Sequence, residues 1–107
     1  MLCLFGMISI AANAIPNNTI YYTSSDGNVI ITYDGRFGDA KIKSNVYSNG
    51  QGIITFDRDV TSIGNSAFQG RSSLESVVIP NSVTTIEFHA FSGCSSLTTV
   101  VIPNSVT

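Results

Sequence analysis

Apolar residues in this chain follow two rhythms, and the change between them falls near Val60. From Thr19 to Phe56 they gather in short runs separated by turn formers. Ile20-Tyr21-Tyr22-Thr23 is aromatic and β-branched, and Ser24-Ser25-Asp26-Gly27 supplies a turn. Val29-Ile30-Ile31-Thr32-Tyr33 then answers as the second strand of a predicted hairpin. Asp34-Gly35 and Phe37-Gly38 mark another turn. Ala40–Tyr47 partly alternates, which points Ala40, Ile42 and Val46 inward. Asn49-Gly50-Gln51-Gly52 punctuates before Ile53-Ile54-Thr55-Phe56. From Val60 the pattern repeats at a fixed interval: Val60–Ser82 laid over Val83–Ser105 agrees at 15 of 23 positions, and Val106 opens the unit again.

A constant interval of this length predicts a solenoid, in which each coil buries its apolar edge against the next. Leu74-x-x-Val77-x-Ile79 and Leu97-x-x-Val100-x-Ile102 carry the rhythm of leucine-rich repeats. Val77 and Ile79 point inward from a short strand, Pro80 ends its ladder, and Asn81-Ser82 turns the corner. Val83 and Ile86 face inward again on the next side. Ala90-Phe91 is expected on a short helical or irregular turn with Phe91 filling the interior, so that truncating it to Ala costs about 3–5 kcal/mol. Val77 and Val100 should lie on adjoining parallel rungs about 4.8 Å apart.

Counting backwards through Val60, Ile54 falls on Val77 and Phe56 on Ile79. Gly52–Phe56 is therefore expected as the strand of a degenerate first coil, with Gln51 where later coils carry Leu74 and Leu97. Residues 15–59 would form an N-terminal β-hairpin cap that includes this coil, closing an otherwise exposed end. Residues 60–107 would supply two full units and the start of a third. The expected fold class is mostly β: a leucine-rich-repeat solenoid with short helical turns and that cap.

Met1–Ala14 is apolar, uncharged and shorter than the about 20 residues a membrane-spanning helix needs. It reads as a signal-peptide-like segment ending in Ala12-Asn13-Ala14, an A-x-A cleavage pattern, although no basic residue precedes it; the alternative is an early strand of the cap. Across the 107 residues charged side chains are only 11% and the net charge is −2, with the five cations scattered. No basic stripe meets a phosphate backbone, which argues against nucleic acid. Removing the leader leaves Cys94 without Cys3, so no disulfide framework is implied. One histidine and no paired cysteines give no metal site, and no cofactor motif is present.

Each candidate for chemistry has a plainer explanation. His89 with Glu87, Ser92 and Ser95 lacks an oriented base and a G-x-S-x-G elbow, and reads as a loop histidine. Cys94 reads as packing. Asp57-Arg58-Asp59 and Asp26-Gly27-Asn28 lack calcium-loop spacing and read as turns. Gly50-Gln51-Gly52 has no following helix and is no nucleotide fingerprint. The best candidate is the outward face of the repeat strands. Ser76 and Val78, then Thr99 and Val101, alternate with the inward residues, and Thr55 precedes them in the cap. Solenoid sheets offer such faces to partners, while β-propensity alone also explains two valines.

Ser82-Val83-Thr84-x-Ile86, Ala90-Phe91, Gly93-Cys94-Ser95-Ser96-Leu97, Val100 and Ile102-Pro103 resemble the repeat of BspA-like leucine-rich-repeat surface proteins. Arg71 stands at the Cys position of the first repeat, and Glu87-Phe88-His89 replaces Gly64-Asn65-Ser66. The resemblance implies a secreted or cell-surface protein that adheres to host matrix proteins and other cells. The resulting expectation is a non-enzymatic module for a protein or glycan partner, with self-association through the open C-terminal end. The alternative is an N-terminal fragment of a longer array with no activity of its own. An enzyme with a parallel β-helix body would need clustered carboxylates, and Glu75 and Glu87 occupy different positions in the unit.

Overall fold

A computed structural model describes residues 15–87 and 89–106. The signal-like reading of residues 1–14 lies outside the described residues. The chain is mostly β, with no helix among the described residues; the strands are β1 (Thr19–Ser24), β2 (Ile42–Ser48), β3 (Gln51–Phe56), β4 (Ser62–Ile63), β5 (Leu74–Val78), β6 (Thr85–Ile86) and β7 (Thr99–Val101). Five of them form one sheet in the order β2-β3-β1-β5-β7, and β4 pairs with β6 in a second.

The repeat interval sets the register of the parallel pairs. Val77 is level with Val100 on β5 and β7, and Ile63 with Ile86 on β4 and β6. The turns between strands are built twice with the same bonds. Ala67 N donates to Gly64 O and Ala90 N to Glu87 O, each at 3.2 Å. Ser82 Oγ donates to Val60 O at 2.6 Å, and Ser105 Oγ to Val83 O at 2.7 Å. Bonds from unit to unit lock the stack: Gly70 N donates to Ser92 O at 2.7 Å and Thr98 N to Glu75 O at 2.9 Å. Gly70 and Gly93 both take left-handed φ, 75° and 78°, which suits glycine at the end of each turn. These turns around Ala67-Phe68 and Ala90-Phe91 are irregular rather than helical.

The part before Val60 departs from the sequence reading. β1 does not pair with Val29–Tyr33. Both its edges are already taken, antiparallel, by β3 and β5, and a strand has only two edges. Val29–Tyr33 runs extended outside any strand. Side chains satisfy its backbone instead: Tyr22 Oη accepts from Ile30 N at 3.1 Å, Asn45 Nδ2 donates to Ile30 O at 2.8 Å, and Arg71 Nε donates to Ile31 O at 2.6 Å. The hairpin is β2–β3, closed by Asn49-Gly50 at φ 53° and 80°, the conformation two-residue hairpin turns favour.

Gly52–Phe56 is likewise not the rung beside β5. β1 lies between them, so Gly52 and Val77 both face Tyr22, and Ile54 is not level with Val77. Val46 points outward, 58% exposed. An irregularity between Ile42 and Ser44 shifts the alternation of β2, so that Asn45 and Tyr47 sit on the inner side.

The inner face of the large sheet closes over one core. Ile20, Tyr22, Ile54, Phe56, Ile63, Phe68, Leu74, Val77, Ile79 and Val83 are buried in it. Phe56, Phe37, Phe68 and Phe91 form a run of ring contacts with centroids 4.9, 5.8 and 5.5 Å apart, joining the first part of the chain to both repeats. Phe91 is only half-buried, stacked on a fully buried Phe68.

Candidate functional site

Insertion of β1 makes the outer face of the sheet continuous from the first strands to the repeats. Val46 faces Ile53, Ile53 faces Tyr21, Tyr21 faces Val78, and Val78 faces Val101. One apolar row therefore crosses all five strands at right angles to them. Hydroxyl-bearing rows flank it: Thr23, Ser76 and Thr99 on one side, Ser44 and Thr55 on the other, the latter continuing into Thr19, which is buried. Thr23 Oγ1 and Ser76 Oγ share a hydrogen bond at 2.6 Å.

Exposure along the row is uneven. Val46 and Ile53 are exposed, Tyr21 and Val101 half-buried, and Val78 only 5% exposed because Ile15 packs over it. Of the residues expected on this face, Ser76 and Val78 pair with Thr99 and Val101 as the repeat interval requires. Thr55 belongs to a different row, level with Thr19. Sequence reasoning missed Val46, Ile53 and Tyr21. Their alternation on each strand was readable, but their alignment depends on β1 entering between β3 and β5.

A second feature is an open groove of about 390 Å³ between Val29–Tyr33 and the turn at Gly70–Ser73. Arg71 spans it, its guanidinium 5.8 Å from the centre of the Tyr33 ring and its Nη1 donating to Gln69 O at 3.3 Å. The residue that replaces the repeat's cysteine thus pins the extended segment to the first unit. At the other end Asp26 accepts from Asn28 N at 3.0 Å and from Ser73 Oγ at 3.1 Å. Those bonds, the backbone one foremost, hold its carboxyl below the ordinary range. Arg71 and Asp26, the charged groups of this groove, are both engaged in holding the fold.

Glu87, just after β6, and His89, Ser92 and Ser95 in the following turns are all exposed. Cys94 is half-buried and its Sγ donates to Phe68 O at 3.0 Å; burial pushes its thiol up. That is the reverse of an activated nucleophile. Among the described residues no group of three or more His, Cys, Asp or Glu side chains is placed to hold a metal, and no helix is long and apolar enough to cross a membrane.

Parallel rungs one unit apart, within and beside a five-stranded sheet, define a mostly-β repeat protein. Residues 40–107 match the family described as BspA type leucine rich repeat region (6 copies), and the chain belongs to that family. Such repeats are generally non-catalytic, and proteins that carry them are typically surface-associated. No curated protein and no solved structure matches the chain.

Proposed function

We propose that this chain is a non-enzymatic module, secreted or held at the cell surface, that binds a protein or glycan partner through the outer face of its five-stranded sheet. In this reading the repeats are coils of a solenoid and residues 15–59 cap it. The observation that carries the reading is the apolar row Val46–Ile53–Tyr21–Val78–Val101 between two hydroxyl-bearing rows. An aligned apolar strip with a polar rim is the anatomy of a recognition surface, and repeat proteins use their sheet faces in this way. Ser76, Thr99 and Val101 extend the contact over the repeats. Val78 supports it from beneath Ile15.

The test is retention on a panel of immobilised extracellular-matrix proteins and intact cells. The chain should be retained above background, and Val46→Lys/Ile53→Lys should lose at least tenfold in affinity at unchanged thermal stability. Both substituted residues are exposed, so the fold tolerates them. No retention on any surface, or equal retention of the variant, contradicts the proposal.

A further inference from the structure

We propose that Asn17 is a site of asparagine-linked glycosylation, modified before β1 is built into the sheet. The inference rests on the export reading above, since the donor is met only by exported chains. Asn17-Asn18-Thr19 is the one Asn-x-Ser/Thr triplet with x other than Pro in the sequence, the acceptor pattern for an N-linked glycan.

The geometry separates the two asparagines of the triplet. Asn18 is spent on the fold: its Nδ2 donates to Phe56 O at 3.2 Å and its Oδ1 accepts from Thr19 Oγ1 at 3.2 Å. Asn17 is exposed, and among the described residues nothing hydrogen-bonds its carboxamide. Its main chain is fixed, because Asn17 O accepts from Val60 N at 2.9 Å and from Ser82 Oγ at 3.2 Å. A bulky, hydrated substituent on the Asn17 side chain therefore leaves these joints intact.

Thr19 gives the timing. Its hydroxyl is part of the acceptor signal, yet in the folded chain Thr19 is 5% exposed, paired with Thr55 in the sheet. A transferase reaches it only while β1 is free. In the reaction the Asn17 amide nitrogen forms a bond to the anomeric carbon of an oligosaccharide carried on a polyprenyl pyrophosphate. The bond from that carbon to the pyrophosphate oxygen breaks, the lipid pyrophosphate leaves with the electron pair, and one amide proton passes to a base on the transferase.

The experiment secretes the full chain from a eukaryotic cell line behind a foreign leader, with a second acceptor triplet appended after Thr107 to record entry into the lumen. Treatment with an amide-cleaving glycosidase in heavy-oxygen water, followed by mass spectrometry, reads each site as a labelled aspartate. Chains glycosylated at the appended site should carry a glycan at Asn17 as well. Asn17→Gln and Thr19→Val should each lose one glycan, and Thr19→Ser should keep it. A bare Asn17 on chains whose appended site is glycosylated overturns the proposal. Purified, folded, unglycosylated chain offered the same transferase and donor should take up no sugar, and uptake there overturns the timing. Removing the foreign leader, so that residues 1–14 lead the chain, tests export separately: failure to secrete then counts against the export reading and leaves the Asn17 result standing.

Discussion

The Tyr22 hydroxyl donates to Asn45 Oδ1 at 2.7 Å and accepts from Ile30 N at 3.1 Å, while its ring is 1% exposed beneath the sheet. Gly52 lies directly across from it, and a Cβ there would enter the Tyr22 ring. One phenol thus ties the central strand to β2 and to the extended segment. Tyr22→Phe leaves Ile30 N buried without an acceptor, and the expected loss is about 1–3 kcal/mol by urea denaturation. Burial also raises the Tyr22 pKa above its ordinary 10.0. The unfolded chain then ionises first, so the associated stability is present below pH 10 and drains away as pH rises toward the higher folded value. Urea midpoints measured across that range should fall more steeply for the native chain than for Tyr22→Phe; parallel profiles would contradict this account.

Between elements, the equivalent phenylalanines of the two repeats are unequal. Phe68 is fully buried between Phe37 and Phe91, whereas Phe91 is half-buried and meets Phe68 face to face, with 5° between the planes. Phe68→Ala should cost about 3–5 kcal/mol. Phe91→Ala should cost about half as much, since part of its ring is already in water. Equal losses in denaturant titrations would place Phe91 deeper than it lies. The sequence carried the repeat register in full, because identical residues at Val77 and Val100 must stack on the same interior. It did not carry the pairing of β1. Ile20-Tyr21-Tyr22-Thr23 marks a strand but not its neighbours, and the partners it takes are 30 or more residues away. The turn at Ser24–Gly27 promised a local hairpin, and the two long-range edges outcompeted it. The apolar row was hidden for the same reason, being a property of register between strands.

At the scale of the molecule, burial falls from the first repeat to the second. Leu74, Val77 and Val83 are fully buried, while Leu97, Val100 and Val106 are half-buried and Ile102 is 53% exposed. Among the described residues β7 is an edge strand of the large sheet, and an unpaired edge with half-buried apolar neighbours is expected to pair with a second copy of this chain. Sedimentation of the 107-residue chain should give a mass that rises with concentration, and Thr99→Lys, at an exposed position on that edge strand, should hold it monomeric. A monomer at every concentration would contradict the expectation.

The placement of β1 between β3 and β5 makes one face of the three strands. Disulfide trapping tests it directly, in a chain with Cys3 and Cys94 changed to Ser. Thr23→Cys/Ser76→Cys joins residues paired across β1 and β5, with hydroxyls now 2.6 Å apart, within reach of a disulfide. Ile53→Cys/Ser76→Cys joins positions one repeat interval apart, which β1 separates by two strand spacings, about 9.6 Å across the sheet, and by two residues along it, too far to bridge. Mild oxidation should close the first pair and leave the second open. Closure of the second pair with the first left open would put β3 against β5 and remove the row on which the proposed function stands.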